Sequence, residues 1–89
     1  MTFTKDPDGV LDYAVDWTAW LAGDEISTSI WLLEEGALIE QVADSKTATK
    51  ATVWLRGGQA GTTYLVTNRI VTVGGRTDDR TISVKVEDR

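Results

Sequence analysis

The stretch Leu11–Trp31, LDYAVDWTAWLAGDEISTSIW, decides the fold and holds three of the four tryptophans. In its first part Leu11, Tyr13, Val15 and Trp17 alternate with Asp12, Ala14 and Asp16. A period of two marks a half-buried strand, here with aspartates on the wet face. Thr18 to Gly23 is too short for a packed helix; one helical turn or a loop is expected, with Trp20 tucked onto the core. A second strand is expected from Glu25 to Glu34, rich in β-branched residues. Its register is open: either Ile26, Thr28, Ile30 and Leu32 face inward, or Ser29, Trp31 and Leu33 do.

Further strands follow on both sides of this stretch. Residues 1–9 read as an arm and a turn, with Asp6-Pro7-Asp8-Gly9 supplying the turn chemistry. Ala37 to Val42 is expected as a short strand and Asp44-Ser45-Lys46 as a polar turn. In Thr49 to Arg56, Ala51, Val53 and Leu55 alternate with Thr52, Trp54 and Arg56. Gly57-Gly58-Gln59-Ala60-Gly61 breaks the pattern, and Thr62 to Val73 is the longest strand, with Tyr64, Val66, Asn68 and Ile70 on one face. Gly74-Gly75-Arg76 turns into a last strand from Arg80 to Val86. About six or seven short antiparallel strands with turns at regular spacing predict an all-β immunoglobulin- or fibronectin-III-like sandwich, one domain over residues 10–89. Tyr64, opening a strand after a glycine-rich loop, suits a tyrosine corner, in which the hydroxyl bonds nearby backbone.

Composition narrows the function. The chain has 89 residues, no cysteine and no histidine. That removes disulfides, thiolate metal sites and the commonest general base and metal ligand. A formal net charge of −5 repels phosphate backbones and argues against nucleic acid. No apolar run reaches the ~18 residues that would span a bilayer, and MTFTKDPDG lacks the basic-then-apolar pattern of a signal peptide.

Lys5-Asp6-Pro7, Leu11-Asp12-Tyr13, Asp16-Trp17, Trp20-Leu21, Gly23-Asp24, Ile26 and Trp31 together resemble small Ig-like virion proteins of tailed bacteriophages and prophages, of the fibre–tail adaptor kind. So do Ala51-Thr52-Val53-Trp54-Leu55, Gly57-Gly58, Ala60-Gly61-Thr62-Thr63-Tyr64, Thr67-Asn68-Arg69-Ile70 and Gly75-Arg76-Thr77-Asp78 with Arg80. The resemblance runs from Lys5 to Val86. It implies a non-enzymatic virion structural protein, made in the host bacterial cytoplasm, that contacts tail or fibre proteins and takes its place in several copies around a symmetric particle. It implies no cofactor. In the resembling sequences small or polar residues usually stand at the positions of Ile30 and Leu32 while the tryptophan at 31 stays, which favours Trp31 and Leu33 inward.

Tyr13, Trp17, Trp31, Tyr64 and Asn68 are expected in the core, Asn68 with a structural hydrogen bond to backbone. Val53 and Leu55 claim the inward face, so Trp54 points out. If its strand neighbours the second strand, Ile30, Leu32 and Trp54 form one outward cluster, the candidate interface. Asp6, Asp8 and Asp12 do not keep the spacing of a calcium loop and read as a turn. Asp12 and Asp16 lie ~13 Å apart along one strand, too far for a glycosidase pair, and suit a charged edge strand. The alternative function is an adhesion or carbohydrate-binding module using exposed aromatics.

Overall fold

The computed structural model describes residues 2–87. In chain order the elements are β1 (Thr2–Lys5), β2 (Leu11–Asp16), a single helical turn α1 (Thr18–Leu21), β3 (Ile26–Leu33), β4 (Ile39–Lys46), β5 (Lys50–Gly57), β6 (Thr63–Thr72) and β7 (Thr77–Val86). They form two sheets, a four-stranded one in the order β1-β7-β6-β3 and a three-stranded one in the order β2-β5-β4. The expected sandwich of the immunoglobulin kind is therefore the fold.

Alternation builds the core. β6 buries Tyr64, Val66, Asn68, Ile70 and Thr72 on one side, and β7 buries Ile82, Val84 and Val86. Across the gap, β2 contributes Tyr13 and Val15, and β5 contributes Ala51, Val53 and Leu55. The inner faces of two such sheets interdigitate, and an 89-residue chain without disulfides needs that packing to be filled. Leu11 departs from the expectation: it keeps the inward parity of Leu55, its partner in β5, but at the end of its strand it remains 41% exposed.

A β-bulge resolves the two registers open for β3. Its pairing with β6 slips between Ile26 and Thr28. An extra residue reverses side-chain parity beyond it. Ile26 is thus buried ahead of the bulge and Trp31 after it, while Ile30 and Leu32 point outward. Each register applies to one part of the strand.

Several boundaries correct the sequence reading. The arm at residues 1–9 is a strand over Thr2–Lys5, and it pairs parallel to β7, the one parallel pair among the described strands. The outermost positions of that arm and of the domain, Met1 and Asp88-Arg89, lie outside the described residues. Asp44-Ser45-Lys46 is not a turn: β4 carries these residues in strand pairing with Val53, Thr52 and Ala51. β7 begins at Thr77, ahead of Arg80. In each case strand pairing with a distant partner overrides polar or turn-like local composition.

The tyrosine corner is present. The Gln59 N–H donates to the Tyr64 hydroxyl at 2.9 Å. Gly58, in the same loop, has φ +96°, and a Cβ there would stand 2.7 Å from Val86 Cγ2 and 3.4 Å from Tyr64 Cε2. Backbone conformation and space both require glycine. Gly58→Ala is expected to destabilise the chain by about 1–3 kcal/mol, read as a lower denaturant midpoint at unchanged m-value.

Candidate functional site

Several of the residues that carry the family resemblance meet at one end of the sandwich. β2 ends at Asp16, whose carboxylate accepts the Thr18 N–H at 2.9 Å and the Thr18 hydroxyl. This short Asx-type turn drops Trp17 into the core with no exposed surface. Its indole N–H donates to Asn68 Oδ1 at 2.9 Å. An indole can only donate, so the amide oxygen must face it. The Asn68 amide nitrogen then donates to Ser29 Oγ at 2.9 Å and to the Ile30 carbonyl at 3.0 Å. The backbone bond expected of Asn68 exists, and the Trp17 and Ser29 contacts add to it. The network ties the end of β2 in one sheet to β6 and β3 in the other.

Two arginines close this end; the resemblance includes both, but no periodicity or local motif gives their role. The Arg80 guanidinium lies 4.3 Å over the Trp17 ring and donates to the Asp16 carbonyl at 3.0 Å. Arg76 lies 4.2 Å over the Trp20 ring and donates to the Leu21 carbonyl at 2.8 Å. Arg76 also meets the Asp24 carboxylate at 3.3 Å. At the end of α1 the Trp20 carbonyl is thus met by a cation, and the Leu21 carbonyl, which also accepts the Asp24 N–H at 3.0 Å, is shared with it. Trp20 packs edge-on to Trp17, with centroids 5.3 Å apart, and is half-buried.

Asp24 is the carboxylate that faces Arg76. The Thr72 hydroxyl first, then the N–H groups of Glu25 and Gly74 and the Arg76 guanidinium, hold it below the ordinary 3.8. Asp16 is lowered chiefly by the Thr18 hydroxyl, and Asp79 by Arg69. At the opposite end Lys5 has no exposed surface; its ammonium donates to the Asp6 carbonyl at 2.7 Å and the Gly57 carbonyl at 2.8 Å. Burial lowers its pKa, against the pull of Asp6 and Asp8. Lys5 joins β1 to the end of β5, so a charged hydrogen bond spans the two sheets there too. No group of three or more acidic side chains among the described residues is placed to hold a metal ion.

The expected core residues are buried: Tyr13, Trp17, Trp31, Tyr64 and Asn68 are each at most 7% exposed. Trp31 differs from Trp17 in one respect. Its indole N–H is buried with no acceptor among the described residues.

The candidate interface does not form as one patch. β3 lies in the four-stranded sheet and β5 in the three-stranded sheet, so Trp54 cannot neighbour Ile30 or Leu32. Trp54 stands between Asp12 of β2 and Ala43 of β4 and is half-buried on the outer face of its own sheet. Ile30 and Leu32, 48% and 39% exposed, lie on the outer face of the other sheet. There they are joined by Leu65 and Val71 of β6, which the sequence reading had not grouped with them. Leu32, Leu33, Glu34, Leu65, Thr67 and Thr81 line an open groove on that face.

A protein-family model matches residues 5–85, that of the podophage GP4 fiber-tail adaptor protein gp77. The chain belongs to this family. The resemblance that the sequence carries is thus one of family membership. The fiber-tail adaptor family is a structural one of the phage tail, and its place is the virion. No curated protein matches the chain. Among solved structures, a PKD domain from KIAA 1837 protein, determined in solution, superimposes with a TM-score of 0.56 at 20% identity. The match covers 99% of this chain and 79% of that one, and it supports the immunoglobulin-like fold of the adaptor.

Three variants test this site. Trp17→Phe strands the Asn68 oxygen in the core and is expected to cost about 1–3 kcal/mol in denaturant unfolding. Trp31→Phe removes an N–H that has no acceptor, so the loss should be smaller, within about 1 kcal/mol. Asp24 is lowered in the folded chain, so it stabilises above pH 3.8, and that contribution disappears as pH falls through its folded value. Asp24→Asn should therefore be less stable than wild type at neutral pH, with the gap narrowing in melts below pH 3.8.

Proposed function

We propose that this chain is a non-enzymatic adaptor held between tail and fibre proteins of the virion, gripping one neighbour with each sheet. The observation that carries this is the separation of its outward apolar residues. Ile30, Leu32 and Leu65 lie on the four-stranded sheet, and Trp54 lies on the three-stranded one. A protein that joins two others needs two surfaces, and a sandwich offers them back to back. Large apolar side chains on an outer face, rimmed by polar groups, are the usual anchors of a protein–protein contact. Here the rims are the Arg69–Asp79 pair beside Ile30 and the Arg56–Glu40 pair beside Trp54. Several copies around a symmetric tail would repeat both contacts.

A sugar-binding role has less to work with. Trp17 and Trp20 already carry guanidinium groups on their rings, and Trp31 is in the core. Trp54 alone is left for stacking.

The test is retention in particles. Ile30→Asp and Trp54→Ala both change outward positions, so each chain should fold, as read by circular dichroism. Each should reduce the protein recovered in purified virions at least about tenfold, a loss of ~1.4 kcal/mol or more at a contact. The two variants should also differ in which neighbour they still bind in pairwise pull-downs. Retention of both variants at the wild-type level would overturn the two-faced reading.

A further inference from the structure

A β-sandwich with open sheets has four edges, and each exposes unpaired backbone N–H and C=O groups. Three of the four are guarded here. β1 has four residues and runs directly into Asp6-Pro7. β2 carries exposed Asp12 and Asp16. β4 carries Glu40, Asp44 and Lys46 and is bent by a bulge between Gln41 and Ala43. β3 has no such guard over most of its length. Its eight residues, ISTSIWLL, hold no charge and no proline, and it stands at the end of its sheet. The 47–50 turn covers only its start, where the Ile26 N–H donates to the Ala48 carbonyl at 2.8 Å. Thr28–Leu33 is left open, and the exposed Ile30 and Leu32 side chains flank it.

The charges beyond its two ends say what fits. Glu25 precedes the strand, and Glu34 and Glu35 follow it, all exposed. Glu34 accepts the Leu65 N–H at 2.8 Å, whereas Glu25 and Glu35 make no ion pair among the described residues. A second copy pairing antiparallel on this edge would bring Glu25 of one chain alongside Glu34 and Glu35 of the other. Like charges at both ends oppose that. A strand with an uncharged, β-branched centre and a lysine or arginine at each end meets the edge without conflict. We propose that the β3 edge takes up such a basic-ended strand from a partner protein, extending the four-stranded sheet to five. Main-chain hydrogen bonds would supply the attachment, and the acidic ends its selectivity. The inference rests on the adaptor reading only in making that partner a tail or fibre protein.

The decisive measurement needs no virion. Two peptides of about ten residues serve as probes, both alternating valine and threonine, one ended by lysines and the other by glutamates. Hydrogen exchange of the free chain is followed with each. The lysine-ended peptide should slow exchange of amides within Thr28–Leu33 at least about tenfold and leave the outer edges of β2 and β4 unchanged. The Glu25→Lys/Glu35→Lys double variant alters exposed positions without an ion pair, and Thr28→Lys guards the edge directly. The double variant should bind the lysine-ended peptide at least about fivefold more weakly and favour the glutamate-ended one; Thr28→Lys should weaken both. Absence of protection in β3, or an unchanged preference in the double variant, would overturn the proposal. So would β3 protection that appears without peptide as the chain dimerises in sedimentation, which would assign the edge to a second copy. Failure of these peptide results leaves the two-faced adaptor reading standing. Loss of that reading in particles leaves the peptide results intact.

Discussion

The hydrogen bond from the Trp17 indole to the Asn68 amide is the constraint around which the rest of the structure is arranged. Both residues are wholly buried; Trp17 directly follows β2 of one sheet, and Asn68 lies in β6 of the other. Each is intelligible only with the other. A buried asparagine with no partner is costly, and a tryptophan N–H in an apolar core is equally so. Paired, they fix how the two sheets sit at this end, because the bond forms at one relative placement only. The second half of the amide holds Ser29 and the Ile30 carbonyl, which carries the constraint into β3 just beyond its bulge. That hold on β3 is consistent with the parity its bulge sets, with Trp31 buried and Ile30 and Leu32 outward.

Three cations are built into the ends of the fold. Lys5 spans the sheets at the far end, and Arg76 and Arg80 lie over Trp20 and Trp17. A guanidinium over an indole face covers the ring, while its N–H groups bond the carbonyls of Asp16 and Leu21, the latter shared with the Asp24 N–H. Such contacts let a small chain without disulfides close both ends of its core. They also use up tryptophan surface that a ligand could otherwise meet. What remains outward is spread over two sheets and one unguarded edge, an arrangement suited to holding macromolecules.

Much of this was legible in the residues. The alternation in Leu11–Asp16, Ala51–Leu55 and Tyr64–Ile70 marks strands because a strand's side-chain period depends on the strand alone. The tyrosine corner at Tyr64 was legible for a similar reason: its hydroxyl bonds Gln59, five residues away, within the same loop. Asn68 was marked as structural by being polar on an apolar face. The alternation alone left the register of β3 open, because an extra residue just after Ile26 leaves no compositional trace; the resemblance favours Trp31 and Leu33 inward, and Trp31 is buried. Asp44-Ser45-Lys46 misled because a solvated edge strand and a turn use the same polar residues.

The sequence by itself determined the all-β class, most of the core and the family, since these follow from local periodicity and from residues matched in order. Tertiary structure decided which strands are neighbours. It placed Trp54 on one sheet and Ile30 and Leu32 on the other, paired Thr2–Lys5 with β7, and left β3 as an open edge. It also brought Arg76 over Trp20 and Arg80 over Trp17, pairs that are far apart in the chain. The physical reason is that side-chain alternation records which way a residue faces, whereas sheet membership is settled by pairing between distant segments. The surfaces that bear on function depend on that pairing.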